Sequence, residues 1–152
     1  MHPSSDAASV QSAAFPGTFD SLSAIIEFVT QAAKLAGLDA QAIYAIQLAV
    51  DEACSNIIEH AYGGEGRGDI QCVCTINRVG LTVTLRDQGA PFDPSSIPDP
   101  DLYSPLEERR EGGWGLYLMR QLTDELRFES IPGTGNVLTM IKRRHAPPKH
   151  KA

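Results

Sequence analysis

Apolar residues recur along this chain with two different periods, and the periods divide it into elements. Leu22, Ile25, Ile26, Val29 and Ala33 fall three and four apart, the spacing of one helical face, with Asp20 or Ser21 available as N-cap and Gly37 as the stop. A second and longer helix is predicted from the cap Asp39, with Ile43, Ile46, Val50, Ala53 and Ile57 on its core face, running to the break AYGGEGRG. The period then changes. In DIQCVCTINRVGLTVTLRD, Leu81, Val83 and Leu85 alternate with Thr82, Thr84 and Arg86, which predicts two strands around a tight turn near Asn77 to Gly80. A third helix is predicted to open at EGGWG, with Leu116, Leu118, Met119, Leu122 and Leu126 apolar, and GTGNVLTMIK after Ile131 and Pro132 reads as a turn and a last strand. The stretch before the first helix reads as polar, with no element assigned to it. Helices on one face of a mostly antiparallel sheet make an α+β fold, a two-layer sandwich.

Residues 90 to 110 fit neither period. Pro91, Pro94, Pro98, Pro100 and Pro105 stand there among acids and serines, too many prolines for a regular element and too long a stretch for an idle connection, so this segment reads as a functional lid.

Composition narrows the class. The chain has 152 residues, 42% of them hydrophobic and 21% charged, which suits one globular domain with a single core. We expect one domain over residues 1–152, its ordered core at about 10–144 between short flexible ends. No apolar run approaches the ~20 residues of a membrane span. MHPSSDAASV carries neither a basic start nor an apolar stretch, which predicts a cytoplasmic protein. A formal net charge of −6 argues against direct nucleic-acid binding, which needs a basic face, and KRRHAPPKHK reads as a solvated tail. Cys72 and Cys74, at i and i+2 on one strand face, cannot close an ordinary disulfide; with Cys54 they read as small buried hydrophobes.

Three segments carry candidate chemistry. The glycines of GGWGLYL precede a helix, where unpaired N–H groups and the positive end of the helix dipole favour a phosphate chain that can reach bare backbone. A turn that merely ends a loop has the same look. The segment lacks the Lys followed by Ser or Thr of a conventional phosphate loop, and no strand directly precedes it. In LAVDEACSNIIEHAYGG, Glu52 and Asn56 at i, i+4 share one stripe of the second helix, though such a pair is often plain solvated surface. In LRDQGAPFDP, Asp87 ends a strand before a glycine turn; it is either a turn residue or a carboxylate suited to an exocyclic amine such as adenine's.

In this order, DEACSN, DQGAPFDP and GGWGLYL resemble the three ATP-binding boxes of the GHKL superfamily, the Bergerat-fold ATPases and kinases. Pro91 follows Ala90 where gyrase-like ATPases and sensor histidine kinases usually carry a second glycine, so the chain is similar to the anti-sigma-factor serine/threonine kinases. The resemblance covers about residues 10 to 144. It implies ATP and Mg²⁺ as cofactors and a role for each matching residue. Asn56 would supply an oxygen to Mg²⁺, and Glu52 would act as the catalytic base on a serine or threonine hydroxyl. Asp87 would read the adenine amine, Gly89 would let the base approach, and Gly113 and Gly115 would hold the phosphates. His60 is given a structural role, Arg109 and Arg110 read either as surface ion pairs or as offsets to γ-phosphate charge, and Trp114 has no assigned role. The implied partners are a STAS-domain anti-sigma antagonist and a sigma factor, with a homodimer possible. A non-catalytic ATP-binding switch, or a regulator of other signalling partners, stays open beside the kinase.

Overall fold

A computed structural model describes residues 8–91, 93 and 114–144. Most of the expected lid, with Arg109, Arg110 and Gly113, lies outside the described residues.

Among the described residues, three helices cover one face of a five-stranded antiparallel sheet, the expected α+β sandwich. The chain order is β1 (Ser9–Pro16), α1 (Leu22–Leu35), α2 (Ala40–Asn56), β2 (Asp69–Ile76), β3 (Gly80–Asp87), α3 (Trp114–Leu122), β4 (Glu125–Ile131) and β5 (Gly135–Arg143). The strands lie in the order β1-β2-β3-β5-β4, so β3 is central. The helix starts follow the caps. The Asp39 carboxylate accepts from Ala42 N–H at 2.8 Å and opens α2, while Gly37, at φ 76°, takes the left-handed conformation that stops α1. Ser21 occupies the N-cap of α1, but its hydroxyl meets Thr18 Oγ1 at 3.0 Å rather than a helix N–H.

The core lies between the two layers. Ile25 and Val29 of α1, Ile46 and Val50 of α2, Ile70 of β2 and Leu81, Val83 and Leu85 of β3 are fully buried. Each such side chain contributes about 1.5–3 kcal/mol of burial. Cys54, Cys72 and Cys74 are free and buried in the same core. Burial, with Asp51 adding, pushes the Cys54 thiol up to about 12, so it stays protonated and packs as a hydrophobe.

Three expectations need correction. The stretch before α1, to which the sequence pattern assigns no element, carries one: SVQSAAFP forms the edge strand β1, paired antiparallel with β2 from Ser9↔Ile76 to Pro16↔Asp69, and Phe15 packs edge-on against Phe28 of α1. The third helix ends at Leu122 rather than reaching Leu126. Thr123 there turns both its N–H and its hydroxyl back to the Met119 carbonyl, and Leu126 sits in β4 opposite Met140. The basic run is not all tail. Lys142 and Arg143 belong to β5, Lys142 Nζ donates to the last carbonyl of α3, and Arg144 Nε donates to Ala36 at the end of α1.

Candidate functional site

Helix α2 brings the first segment to the middle of the molecule. Its inner face is apolar and buried, and Glu52 and Asn56 flank that face, each half-buried, as the i, i+4 spacing requires. Strand β3 delivers the second segment. Its alternation points Leu81, Val83, Leu85 and Asp87 to the helix side, so a strand that is hydrophobic up to residue 85 ends by burying a carboxylate.

Burial without partners would be expensive for that carboxylate, and partners are present. Asp87 is 3% exposed, and its Oδ1 accepts from Gly89 N–H at 2.9 Å and from the Asn136 side-chain amide at 2.8 Å. Burial raises the Asp87 pKa above the ordinary aspartate value, and these two hydrogen bonds act against that rise. Asn136 faces Asp87 across the β3–β5 register. Its amide nitrogen also donates to the Ala90 carbonyl at 2.8 Å, and its oxygen meets Ser130 Oγ at 2.6 Å. The amide is thus held from both ends.

Between the layers lies a small cavity, open on one side to solvent. Its walls are largely apolar, from Ala53, Ile57, Met119, Phe128 and Leu138, and its polar groups include Asn56, Asp87 and Asn136. An apolar cleft with a few convergent polar groups suits a flat heteroaromatic ring.

Two glycines join the segments. At Gly89 a Cβ would stand 2.5 Å from the carbonyl carbon and oxygen of Ala61, so this glycine lets the turn after Asp87 pack directly on the end of the α2 region. At Gly115, on the first turn of α3, a Cβ would stand 2.7 Å from Glu52 Oε2 and 3.5 Å from Asn56 Nδ2. The third segment therefore meets the first through bare backbone. The structure brings Glu52, Asn56 and Gly115 together at one end, and Asn56 and Asp87 into one cavity; Gly113 and the side chain of Trp114 lie outside the described part of the chain.

Glu52 differs from Asp87 in its surroundings. Desolvation raises its pKa first, and the neighbouring Asp51 and Glu59 carboxylates raise it further. His60, expected to be structural, is exposed and approaches Glu59 at 3.9 Å. The structural part is taken by Tyr62, whose phenol links Asp69 and Gln88. Sequence reasoning missed both Asn136 and Tyr62. The strand register could have pointed to Asn136, because the residue paired with a buried acid is its natural partner.

The donor set bears on the metal. Among the described residues no group of three or more His, Cys, Asp or Glu is placed to hold an ion. Asn56, half-buried on the cavity wall, offers one hard oxygen. That fits Mg²⁺, an ion commonly held by one or two protein oxygens together with substrate phosphates and waters. No described helix is long and apolar enough to cross a membrane.

Known proteins share much of this sequence. The histidine kinase-like ATPase domain family matches residues 15–142. The chain is 36% identical over 98 residues to the Serine-protein kinase RsbW of Bacillus velezensis, covering 62% of this chain and 61% of that one. It is 34% identical to the protein of the same name from Bacillus subtilis over 98 residues, with the same two shares. Against the Bacillus licheniformis protein of that name, identity is 34% over 106 residues, 65% of this chain and 64% of the other. The match thus spans 61% to 64% of the length of these relatives. With all three segments inside the matched range, the chain belongs to the histidine kinase-like ATPase domain family.

Proposed function

We propose that this protein binds ATP with Mg²⁺, transfers the γ-phosphate to a serine or threonine of a STAS-domain anti-sigma antagonist, and in its other state sequesters a sigma factor. The observation that carries the proposal is the meeting of Glu52, Asn56 and Gly115 beside the cavity that Asp87 and Asn136 complete. The relatives named serine-protein kinase support a protein hydroxyl as acceptor.

Each residue then has a task. Asp87 is the adenine reader: with Oδ1 occupied by two N–H donors, Oδ2 is the oxygen left to take the exocyclic amine. Gly115 keeps side-chain atoms away from the start of α3, where the phosphates would approach backbone N–H groups. Asn56 would hold Mg²⁺, which neutralises phosphate charge when bound. Glu52 takes the acceptor hydroxyl's proton as that oxygen attacks, and burial, with its acidic neighbours adding, makes it a stronger base than an ordinary glutamate. Alternating partners require that one of them bind better in one nucleotide state than in the other.

The experiment is transfer of labelled γ-phosphate to a cognate STAS-domain protein, run beside calorimetric titration with ATP and GTP. Guanine presents a carbonyl where adenine presents an amine, so ATP should bind more tightly. Equal affinity for the two would remove Asp87's reading role. ATP binding with no transfer to any antagonist would leave a nucleotide-gated binding module in place of the kinase.

A further inference from the structure

Glu52 and Asn56 stand on a helix, Asp87 on the sheet, and a ligand spanning them needs the two layers held at a fixed separation. The chain supplies an unusual joint. Directly after Asn56 the helix leaves α geometry for one π turn, Ile57–Ala61, closed by Tyr62 N–H to the Ile57 carbonyl at 2.9 Å. A π turn accommodates an extra residue and so redirects the chain beyond it. Here Asn56 faces the cavity while Ala61 and Tyr62 meet the turn beyond β3.

Two hydrogen bonds fasten that meeting. Ala90 N–H donates to the Ala61 carbonyl at 2.8 Å, a bond between backbones that most side chains would permit. The other depends on side-chain identity. Gln88 N–H donates to Tyr62 Oη at 2.9 Å, and the same hydroxyl donates to the Asp69 carbonyl at 2.6 Å. One oxygen, acting as acceptor and donor at once, joins the end of the α2 region to the start of β2 and to the residue after Asp87. The ring has a defined seat, since a Cβ on Gly68 would lie 2.5 Å from Tyr62 Cζ. Burial, and the nearby carboxylates of Asp87 and Asp69, raise the phenol's pKa against the opposing effect of the Gln88 bond, so the hydroxyl keeps its proton at neutral pH.

We propose that Tyr62 is a positioning residue of the nucleotide site: its hydroxyl fixes Gln88, and through it the Asp87 carboxylate, at the distance from Asn56 that adenine recognition requires. This rests on the reading of the cavity as an adenine pocket. Tyr62 does not line the cavity, so its effect on the ligand passes through Asp87. Gln88 lies between Asp87 and Gly89, whose N–H holds Asp87 Oδ1, so slack at Gln88 is passed to the carboxylate directly.

The test is a double-mutant cycle on the full chain. Tyr62→Phe keeps the ring beside Gly68 and removes the oxygen. ATP affinity should fall about threefold to tenfold, the size of one partly exposed hydrogen bond, and the preference for ATP over GTP should shrink with it. In the Asp87→Asn background the same change should cost little more, because the two act in series. In phosphotransfer, KM for ATP should rise while kcat holds. Placing 4-aminophenylalanine at position 62 restores the donor to Asp69 but only a weak acceptor for Gln88, so it should recover stability while regaining only a minor part of the affinity; it also serves if the Phe variant folds poorly. A variant with lowered Tm but unchanged nucleotide preference, or fully additive losses in the cycle, would overturn the proposal by reducing Tyr62 to a fold contact. A parent protein that binds no ATP would overturn it together with the pocket reading.

Discussion

Asp87 is 3% exposed and receives two N–H groups on one oxygen, whereas Glu52 stands half-buried on the flank of α2 with its carboxylate against the bare Cα of Gly115. Burial raises the pKa of both. At Asp87 the Asn136 and Gly89 hydrogen bonds resist that rise and favour the ionised acceptor; at Glu52 the neighbouring Asp51 and Glu59 add to it and favour taking up a proton. Different surroundings thus push the two carboxylates in different directions, which suits the proposed division between an adenine reader and a base. The buried end belongs to the sheet, and the half-buried end to the flank of α2.

The largest expected effect tests the proton-taking half. Glu52→Gln keeps size and hydrogen-bonding reach but cannot accept a proton, so phosphotransfer should fall by roughly 10² to 10⁴ while ATP affinity holds. The parent's transfer rate should decline as the pH falls through the Glu52 pKa, which lies above the ordinary glutamate value, and the Gln variant should lose that dependence. Transfer at the parent rate would move the base elsewhere.

Gly115→Ala probes the same half by displacement. The added methyl would fall 2.7 Å from Glu52 Oε2, the far end of a flexible side chain, so the carboxylate yields and the fold does not. Misplacement of this order costs about 10²-fold in rate, with Tm nearly unchanged. A steep drop in Tm instead would mean that Glu52 is held as firmly as Asp87, and the contrast between the two ends would fail.

How much of this was legible in the sequence differs between the same two regions. Helix α2, its Asp39 cap and the i, i+4 pair of Glu52 and Asn56 follow from local spacing and capping chemistry, and so does the β2–β3 hairpin. The partners of Asp87 do not, because Asn136 is 49 residues away and reaches it through strand register. β1 escaped because SVQSAAFP is small and polar for a strand, and its identity comes from pairing with β2. β4 escaped because Leu122 and Leu126, four apart, imitate one more helical turn; the alternation of Leu126 and Phe128 with Arg127 and Glu129 was the competing signal. The π turn and Tyr62 left no local signal, since IIEHA continues the apolar pattern of the helix before it.

Asp87→Asn addresses the reading half and should act on affinity and stability in opposite directions. The amide oxygen can still accept from Gly89 and Asn136, but an NH₂ group now meets the adenine amine, so ATP affinity should fall about tenfold to a hundredfold. Fold stability should rise, since an ionised group is no longer buried.

That gain in stability carries a pH signature, the smallest effect expected here. A carboxyl whose folded pKa is raised gives its full stabilising contribution below the unfolded pKa and loses it as the pH rises through the folded one. The parent therefore carries the cost of an ionised Asp87 at neutral pH and not in acid, while the Asn variant carries it at neither. The Tm difference, variant minus parent, should be near zero in acid, open through the range from the ordinary aspartate pKa upward, and reach about 2–4 °C at neutral pH if the cost is ~1 kcal/mol. Calorimetry of both proteins without nucleotide across that range measures it. A difference of constant size would place its origin in packing, and a negative difference at neutral pH would mean that the Asn136 and Gly89 bonds more than offset the burial of the charge.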